Sequence, residues 1–191
     1  IGTGTFQGAT AFNFGQDVDE VKLADFNGDG ILDMVTSSTN VSVALGNGDG
    51  TFRAAISSGS AAMGESAYTV VGDFNGDGYL DVGTRDYTSG SITTYLGNGD
   101  GTFRNGVSFD EADNEALFYV ADFNNDGRDD LLINNTLSGN NSVRLANADG
   151  SFGAALVIST AFGSGGSVAD FNGDGILDIV LNRTGANQAV I

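Results

Sequence analysis

The 191-residue sequence contains no cysteine, no histidine, no proline and no tryptophan. Without cysteine there is no disulfide framework and no thiolate metal site. Without histidine, the commonest transition-metal ligand and general base is missing. With no tryptophan and five tyrosines (Tyr68, Tyr79, Tyr87, Tyr95, Tyr119), stacking platforms for sugars or bases are few. Basic residues are scarce as well: 7 Lys and Arg stand against 25 Asp and Glu, a net charge of −18. That balance disfavours a nucleic-acid partner, whose phosphates need Lys and Arg. It equally disfavours docking on an anionic membrane without a bridging metal. No apolar run approaches the length that spans a bilayer, so no direct membrane insertion is expected. No G-x-S-x-G nucleophile elbow is present. The spare acids Glu65 and Asp86, the latter beside Arg85, have nothing converging on them. The expectation is a protein that is not an enzyme.

What the chain does have is glycine, aspartate and repetition. Hydrophobic residues make up 40%, enough to bury a core. The 30 glycines fall mostly in repeated turns. The stretch Asp25-Phe26-Asn27-Gly28-Asp29-Gly30-Ile31-Leu32-Asp33 recurs from Asp73 to Asp81, from Asp122 to Asp130 and from Asp170 to Asp178. The copies start 48, 49 and 48 residues apart. A second element, LGNGDGTF, runs from Leu45 to Phe52 and from Leu96 to Phe103, with LANADGSF from Leu145 to Phe152 and a truncated Gly4-Thr5-Phe6 at the start. Gly, Asn and Asp between apolar runs make tight turns, so this element reads as a β-hairpin loop. Asn47 with Asp49, and their counterparts Asn98 with Asp100 and Asn147 with Asp149, offer too few ligands for a second cation site.

The acidic loop offers oxygens only, the donor set of a hard divalent cation. The pattern D-x-N-x-D-G-x-x-D predicts a site from Asp25, Asn27, Asp29, the carbonyl of Ile31, and Asp33 closing with both oxygens. The second site is Asp73, Asn75, Asp77, the carbonyl of Tyr79, and Asp81. The third is Asp122, Asn124, Asp126, the carbonyl of Arg128, and Asp130. The fourth is Asp170, Asn172, Asp174, the carbonyl of Ile176, and Asp178. Gly30 stands where the chain must turn sharply, and Asn125 replaces the Gly28 position in the third copy. Three carboxylates within nine residues repel unless neutralised. Calcium suits such a loop better than magnesium, which demands strict octahedral geometry and retained waters. The expected complement is about four Ca2+ ions, one per loop. The remaining acids, Asp17, Asp19, Glu20 and Asp110, Glu111, Asp113, Glu115, read as solvated faces.

Short alternating segments flank both loops. Val21–Ala24, Leu32–Thr36, Val41–Leu45 and Phe52–Ile56 are expected strands a, b, c and d of one repeat. Only Asp110 to Leu117 suggests a helical turn. A period near 48 with four strands predicts an all-β chain, a β-propeller of four four-stranded blades. The single domain spans 1–191, with blades near 15–60, 61–110, 111–160, and 161–191 plus 1–14. The last blade offers a (Ser167 to Asp170), b (Leu177 to Leu181) and c (Asn187 to Ile191); Thr5 to Phe12 matches strand d. Closure by the N-terminal strand follows as an expectation, the alternative being part of a larger ring. The phenylalanines Phe26, Phe74, Phe123, Phe171 and Phe52, Phe103, Phe152 are expected between blades.

The acidic loop together with LGNGDGTF resembles the FG-GAP or VCBS repeat, the blade of integrin-alpha-like β-propellers and of many bacterial surface and secreted proteins. The resemblance covers essentially the whole chain. It implies calcium in the loops and a role in adhesion, recognition or surface display. It differs in number, since the integrin-type ring has seven blades. The expected function is a calcium-binding, non-enzymatic, extracellular or cell-surface module of a larger bacterial host chain. Its partner would be a protein or glycan ligand; the alternative is a carbohydrate-binding lectin domain.

Overall fold

Each acidic loop is followed by a segment with little polar interruption, and these segments become the buried middle of each sheet. A computed structural model of the chain describes residues 8, 10–38, 40–59, 66–86, 88–110, 116–135, 140–160, 166–183 and 188–190. Among them every element is a strand. The first sheet holds β1 (Glu20–Ala24), β2 (Asp33–Ser37), β3 (Val41–Ala44) and β4 (Ile56–Ser58), hydrogen-bonded in that order. The second holds β5 (Ser66–Gly72), β6 (Asp81–Asp86), β7 (Ile92–Tyr95) and β8 (Val107–Phe109). The third holds β9 (Ala116–Ala121), β10 (Asp130–Asn135), β11 (Asn140–Arg144) and β12 (Leu156–Thr160). The fourth has three described strands, β13 (Gly166–Ala169), β14 (Asp178–Arg183) and β15 (Gln188–Val190). All pairings are antiparallel, and each sheet is a meander in chain order, as expected of a blade.

Strand d differs from its sequence reading. Phe52 makes only an isolated bridge to Gly46, and regular pairing resumes at Ile56, opposite Val43. The two registers differ by one residue, so a bulge separates hairpin from strand. The same offset occurs at Phe103 with Gly97 against Val107 with Thr94, and at Phe152 with Ala146 against Leu156 with Val143. The helical turn considered at Asp110 to Leu117 falls largely on 111–115, outside the described residues, and Ala116 and Leu117 already belong to β9. Closure is not seen. Residues 5–7 and 9 lie outside the described ones, and 10–14 form no strand. Phe12 packs instead against Phe52 of the first sheet, ring centroids 6.0 Å apart.

The hydrophobic core lies between sheets. One cluster joins Phe26, Val35, Val41, Val43 and Leu45 of the first repeat to Val82, Tyr95 and Phe103 of the second. Another joins Phe74 and Ile92 of the second to Leu131 and Ile133 of the third. The phenylalanines act as the hinge pins of this packing. Phe26 meets Phe103 edge-on at 5.8 Å, and Phe74 meets Phe152 at 5.4 Å. In the first two loops the phenylalanine is thus covered by the hairpin phenylalanine of the next repeat. Phe171 departs from the pattern: it is 48% exposed, against 3% for Phe26 and 0% for Phe74. The first strands of neighbouring sheets, β1, β5 and β9, lie side by side. Lys22, Leu23, Thr69, Val70, Val71, Tyr119 and Val120 on these strands line an open cavity of about 350 Å³.

Candidate metal sites

The four loops fold alike because the first Asp of each gathers the backbone around its carboxylate. Asp25 Oδ2 accepts from Gly30 N at 2.8 Å, and Oδ1 accepts from Gly28 N at 2.7 Å and Asp29 N at 3.2 Å. Asn27 Oδ1 accepts from Asp29 N at 3.0 Å, and Asp29 Oδ1 from Ile31 N at 2.9 Å. The second loop repeats this through Asp73, Asn75 and Asp77, with Gly78 N at 2.8 Å from Asp73 Oδ2. In the third, Gly127 N reaches Asp122 Oδ2 at 2.8 Å, and in the fourth Gly175 N reaches Asp170 Oδ2 at 2.9 Å. Such a coil needs left-handed backbone at two positions. Gly28 and Gly30 supply it in the first loop, and Asn125 adopts φ 57° in the third. These amides stabilise the ionised carboxylate. The bond from Gly30 foremost, then those from Gly28, Asn27 and Asp29, holds Asp25 below the usual carboxylate range despite partial desolvation. The bond from Gly175, followed by those from Gly173, Asp174 and Asn172, does the same at Asp170.

The structure therefore brings the first, third and fifth positions of each loop together. Asn27 Nδ2 donates to Asp29 Oδ2 at 2.9 Å, and the same link joins Asn75 to Asp77 at 2.9 Å and Asn124 to Asp126 at 2.8 Å. The closing aspartates do something else besides. Asp33 is fully buried; its Oδ2 accepts from Phe26 N and its Oδ1 from Gly46 N, both at 2.8 Å. Asp81 bridges Phe74 N and Gly97 N, also at 2.8 Å each. Asp130 bridges Phe123 N at 2.9 Å and Ala146 N at 2.8 Å. At Asp178, the bond from Phe171 N at 2.9 Å is present. This residue joins acidic loop to glycine hairpin, a role that the spacing alone did not reveal. Burial pushes Asp81 up to about 7, against the pull of the Gly97 and Phe74 amides, with the Asp77 and Asp73 charges adding to the rise. Burial likewise raises Asp130, against bonds from Ala146 and Phe123.

Of the residues chosen for their carbonyls, Ile31 and Tyr79 also have work for their side chains. A Cβ added at Gly46 would lie 2.8 Å from Ile31 Cγ2, and one at Gly99 would lie 2.3 Å from Tyr79 Cε1. Ile176 is 63% exposed. The hairpin acids behave as turn formers: Asp49 Oδ1 accepts from Thr51 N at 2.9 Å and Thr51 Oγ1 at 2.6 Å. Asp86 caps a turn through Thr88 N at 2.7 Å and Ser89 N at 3.0 Å.

Two acids cross between repeats, contacts that the repeat spacing does not show. Glu20, read as part of a solvated cluster, is half-buried and accepts from Thr69 N of the next sheet at 2.7 Å. Asp129 accepts from Asp73 N at 2.9 Å and returns a bond from its own N to Asp73 O at 2.8 Å. The only possible signal for Asp129 was its singularity, since the other loops carry Leu32, Leu80 and Leu177 there.

Chemically, the donor set fits a hard cation. Each loop presents three carboxylates and an amide oxygen without nitrogen or sulfur donors. Among the described residues no Lys or Arg pairs with a carboxylate of the first, second or fourth loop; Arg128 pairs with Asp126 in the third.

No curated protein matches the chain. Among solved structures, it is similar to a lectin from Agrocybe aegerita that recognises non-reducing terminal N-acetylglucosamine, with 28% identity and a TM-score of 0.63. The match covers 83% of this chain and 45% of the lectin, so this chain spans less than half the lectin's length. It also resembles part of the Photorhabdus luminescens Tc holotoxin pore, with 21% identity and a TM-score of 0.59, over 88% of this chain and 8% of that one. The second likeness is one of fold. The FG-GAP-like repeat model matches residues 25–84, 73–133 and 122–181, a span that takes in all four acidic loops, and the chain belongs to that family.

Proposed function

We propose that this chain is a calcium-stabilised, non-catalytic recognition module of an extracellular or cell-surface protein. The observation that carries the reading is the shared loop geometry: four times, carboxylates at the first and fifth positions flank an amide oxygen on an exposed turn. Asp25, Asn27, Asp29 and Asp33 would hold the ion in the first loop, and the matching residues in the others. Calcium would supply positive charge where a −18 chain concentrates its acids. The chain's own residues do the rest. The first Asp folds the loop, the closing Asp fastens it to the hairpin, and the phenylalanine between them enters the contact with the next repeat. A loop neutralised in this way fixes how neighbouring sheets present their edges to a ligand.

Each site filled at ten times its dissociation constant contributes about 1.4 kcal/mol. Thermal melting with millimolar calcium and with a chelator tests this. A midpoint raised by several degrees in calcium is the expected result, and equal midpoints would overturn the proposal.

A glycan is the ligand class that one observation favours, namely the likeness to an N-acetylglucosamine-recognising lectin at 28% identity over 83% of the chain. A glycan array in calcium is the direct check. Binding to glycans ending in N-acetylglucosamine supports this second reading, and an array with no binder retires it in favour of a protein ligand.

A further inference from the structure

Among the described residues no basic side chain pairs with a carboxylate of the first, second or fourth acidic loop, and one pairs with the third. Arg128 stands where the other loops carry Ile31, Tyr79 and Ile176. Its guanidinium is paired with Asp126 Oδ2, the fifth-position carboxylate, which also accepts from Asn124 Nδ2 at 2.8 Å. Its Nε donates to Ala146 O of the adjoining hairpin at 3.1 Å. Its stem lies along the second loop, where a Cβ added at Gly76 would come within 3.1 Å of Arg128 Cγ. The guanidinium is thus held by its own loop and its own hairpin, and the stem that carries it lies beside the neighbouring repeat. The next residue, Asp129, is stapled to Asp73 of that same second loop by two bonds: its carboxylate accepts from Asp73 N, and its own N–H donates to Asp73 O.

We propose that Arg128 serves as a built-in counter-ion for the third loop, so that the first, second and fourth loops bind calcium and the third binds it more weakly. The proposal rests on the calcium reading above. The physical reason is direct competition. An ion entering the third loop must displace the guanidinium from Asp126 or share the carboxylate with a second positive charge. Displacement gives up a partly exposed ion pair together with the bond to Ala146 O. An ion pair of this kind is worth up to about 1 kcal/mol, which alone weakens calcium binding roughly fivefold. The departures gather in this one repeat: Asn125, Arg128, Asp129 and Ala146 replace Gly, an uncharged residue, Leu and Gly.

The loops carry their own reporters. Gly30, Gly78, Gly127 and Gly175 each donate a backbone N–H to the first Asp of their loop. Calcium chloride is titrated into metal-free, isotopically labelled full chain, and the four amide resonances are followed by nuclear magnetic resonance. Gly30, Gly78 and Gly175 are expected to shift at lower calcium than Gly127, which should lag by up to roughly fivefold. In Arg128→Ile, matching the first and fourth loops, Gly127 should move in step with the others. Gly127 moving in step in the unaltered chain would overturn the proposal, and so would a lag that persists in the variant. If none of the four amides responds to millimolar calcium, the calcium reading itself fails. If the variant does not fold, the unaltered chain still decides.

Discussion

Asp81 shows how one carboxylate can serve the fold and strain it together. It receives the amides of Phe74 and Gly97, yet burial raises its pKa from 3.8 to about 7. A folded-state pKa above the unfolded one means that the folded chain keeps a proton which the unfolded chain releases. Stability of the metal-free protein therefore falls as pH rises from 3.8 through about 7. Asp129 and Asp130 shift the same way, both chiefly through burial. Asp25 and Asp170, held low by backbone amides, act in the opposite sense, and their contribution is lost only below the ordinary Asp range. Thermal melting of metal-free protein between about pH 4 and pH 8 should give falling midpoints, and calcium should flatten the decline. Replacing Asp81 by Ala strands two buried N–H groups and should cost about 2–5 kcal/mol in urea unfolding without calcium, and more in calcium, where the closing ligand of the proposed site is lost as well. Spacing alone marks the acids of these loops as candidate cation ligands. The bonds of the closing aspartates to the hairpin are not legible in it, because Gly46, Gly97 and Ala146 meet them only after the hairpin folds back.

Between residue and sheet, the hairpin is the element that sets the geometry. Arg53 N donates to Leu45 O and Asn47 N to Thr51 O, and the same pairs recur at Arg104 with Leu96 and Asn98 with Thr102. The bulge that follows explains why strand d begins later than its apolar pattern suggests. Phe103 and Phe152 are used between sheets, so the chain shifts register before the outer strand starts. Tight approach also accounts for one glycine. A Cβ at Gly97 would lie 2.3 Å from Leu80 O, a backbone atom at the entrance to β6. Gly97→Ala should cost about 1–3 kcal/mol, read as a lower urea midpoint at unchanged slope. Ala146 at the matching place shows that a repeat can make room, and that repeat is the one in which Arg128 Nε bonds the Ala146 carbonyl.

Across the whole molecule, stability is shared between neighbours in the manner of repeat arrays. Val35, Val82, Leu131, Leu132 and Ile133 on the second strands have no exposed surface, whereas Leu181 is the buried hydrophobic of the fourth sheet among the described residues. Amide hydrogen exchange should be slowest in β2, β6 and β10 and fastest in β13 to β15. Phe103→Ala removes the ring that covers Phe26. It should cost about 3–5 kcal/mol and speed exchange in both the first and second sheets, the signature of a contact that belongs to neither alone.

The repeat, its strands and its acidic loops are legible in the residues alone, because these depend on local matters: apolar alternation, glycine at left-handed turns and carboxylates at fixed spacing. So is the place of Phe26, Phe74, Phe103 and Phe152 between repeats, whereas Phe171, expected there too, is 48% exposed. Which ring meets which, the reach of Glu20 to the following repeat and of Asp129 to the preceding one, and the pairing of Arg128 with Asp126 emerge only once the chain is folded. Those contacts join residues brought near by the folded chain, and the guanidinium's reach depends on the hairpin and the neighbouring loop being in place. The loop from Asp122 to Asp130 reads as one of four copies along the chain, and in three dimensions it meets its negative charge with Arg128, a residue of its own.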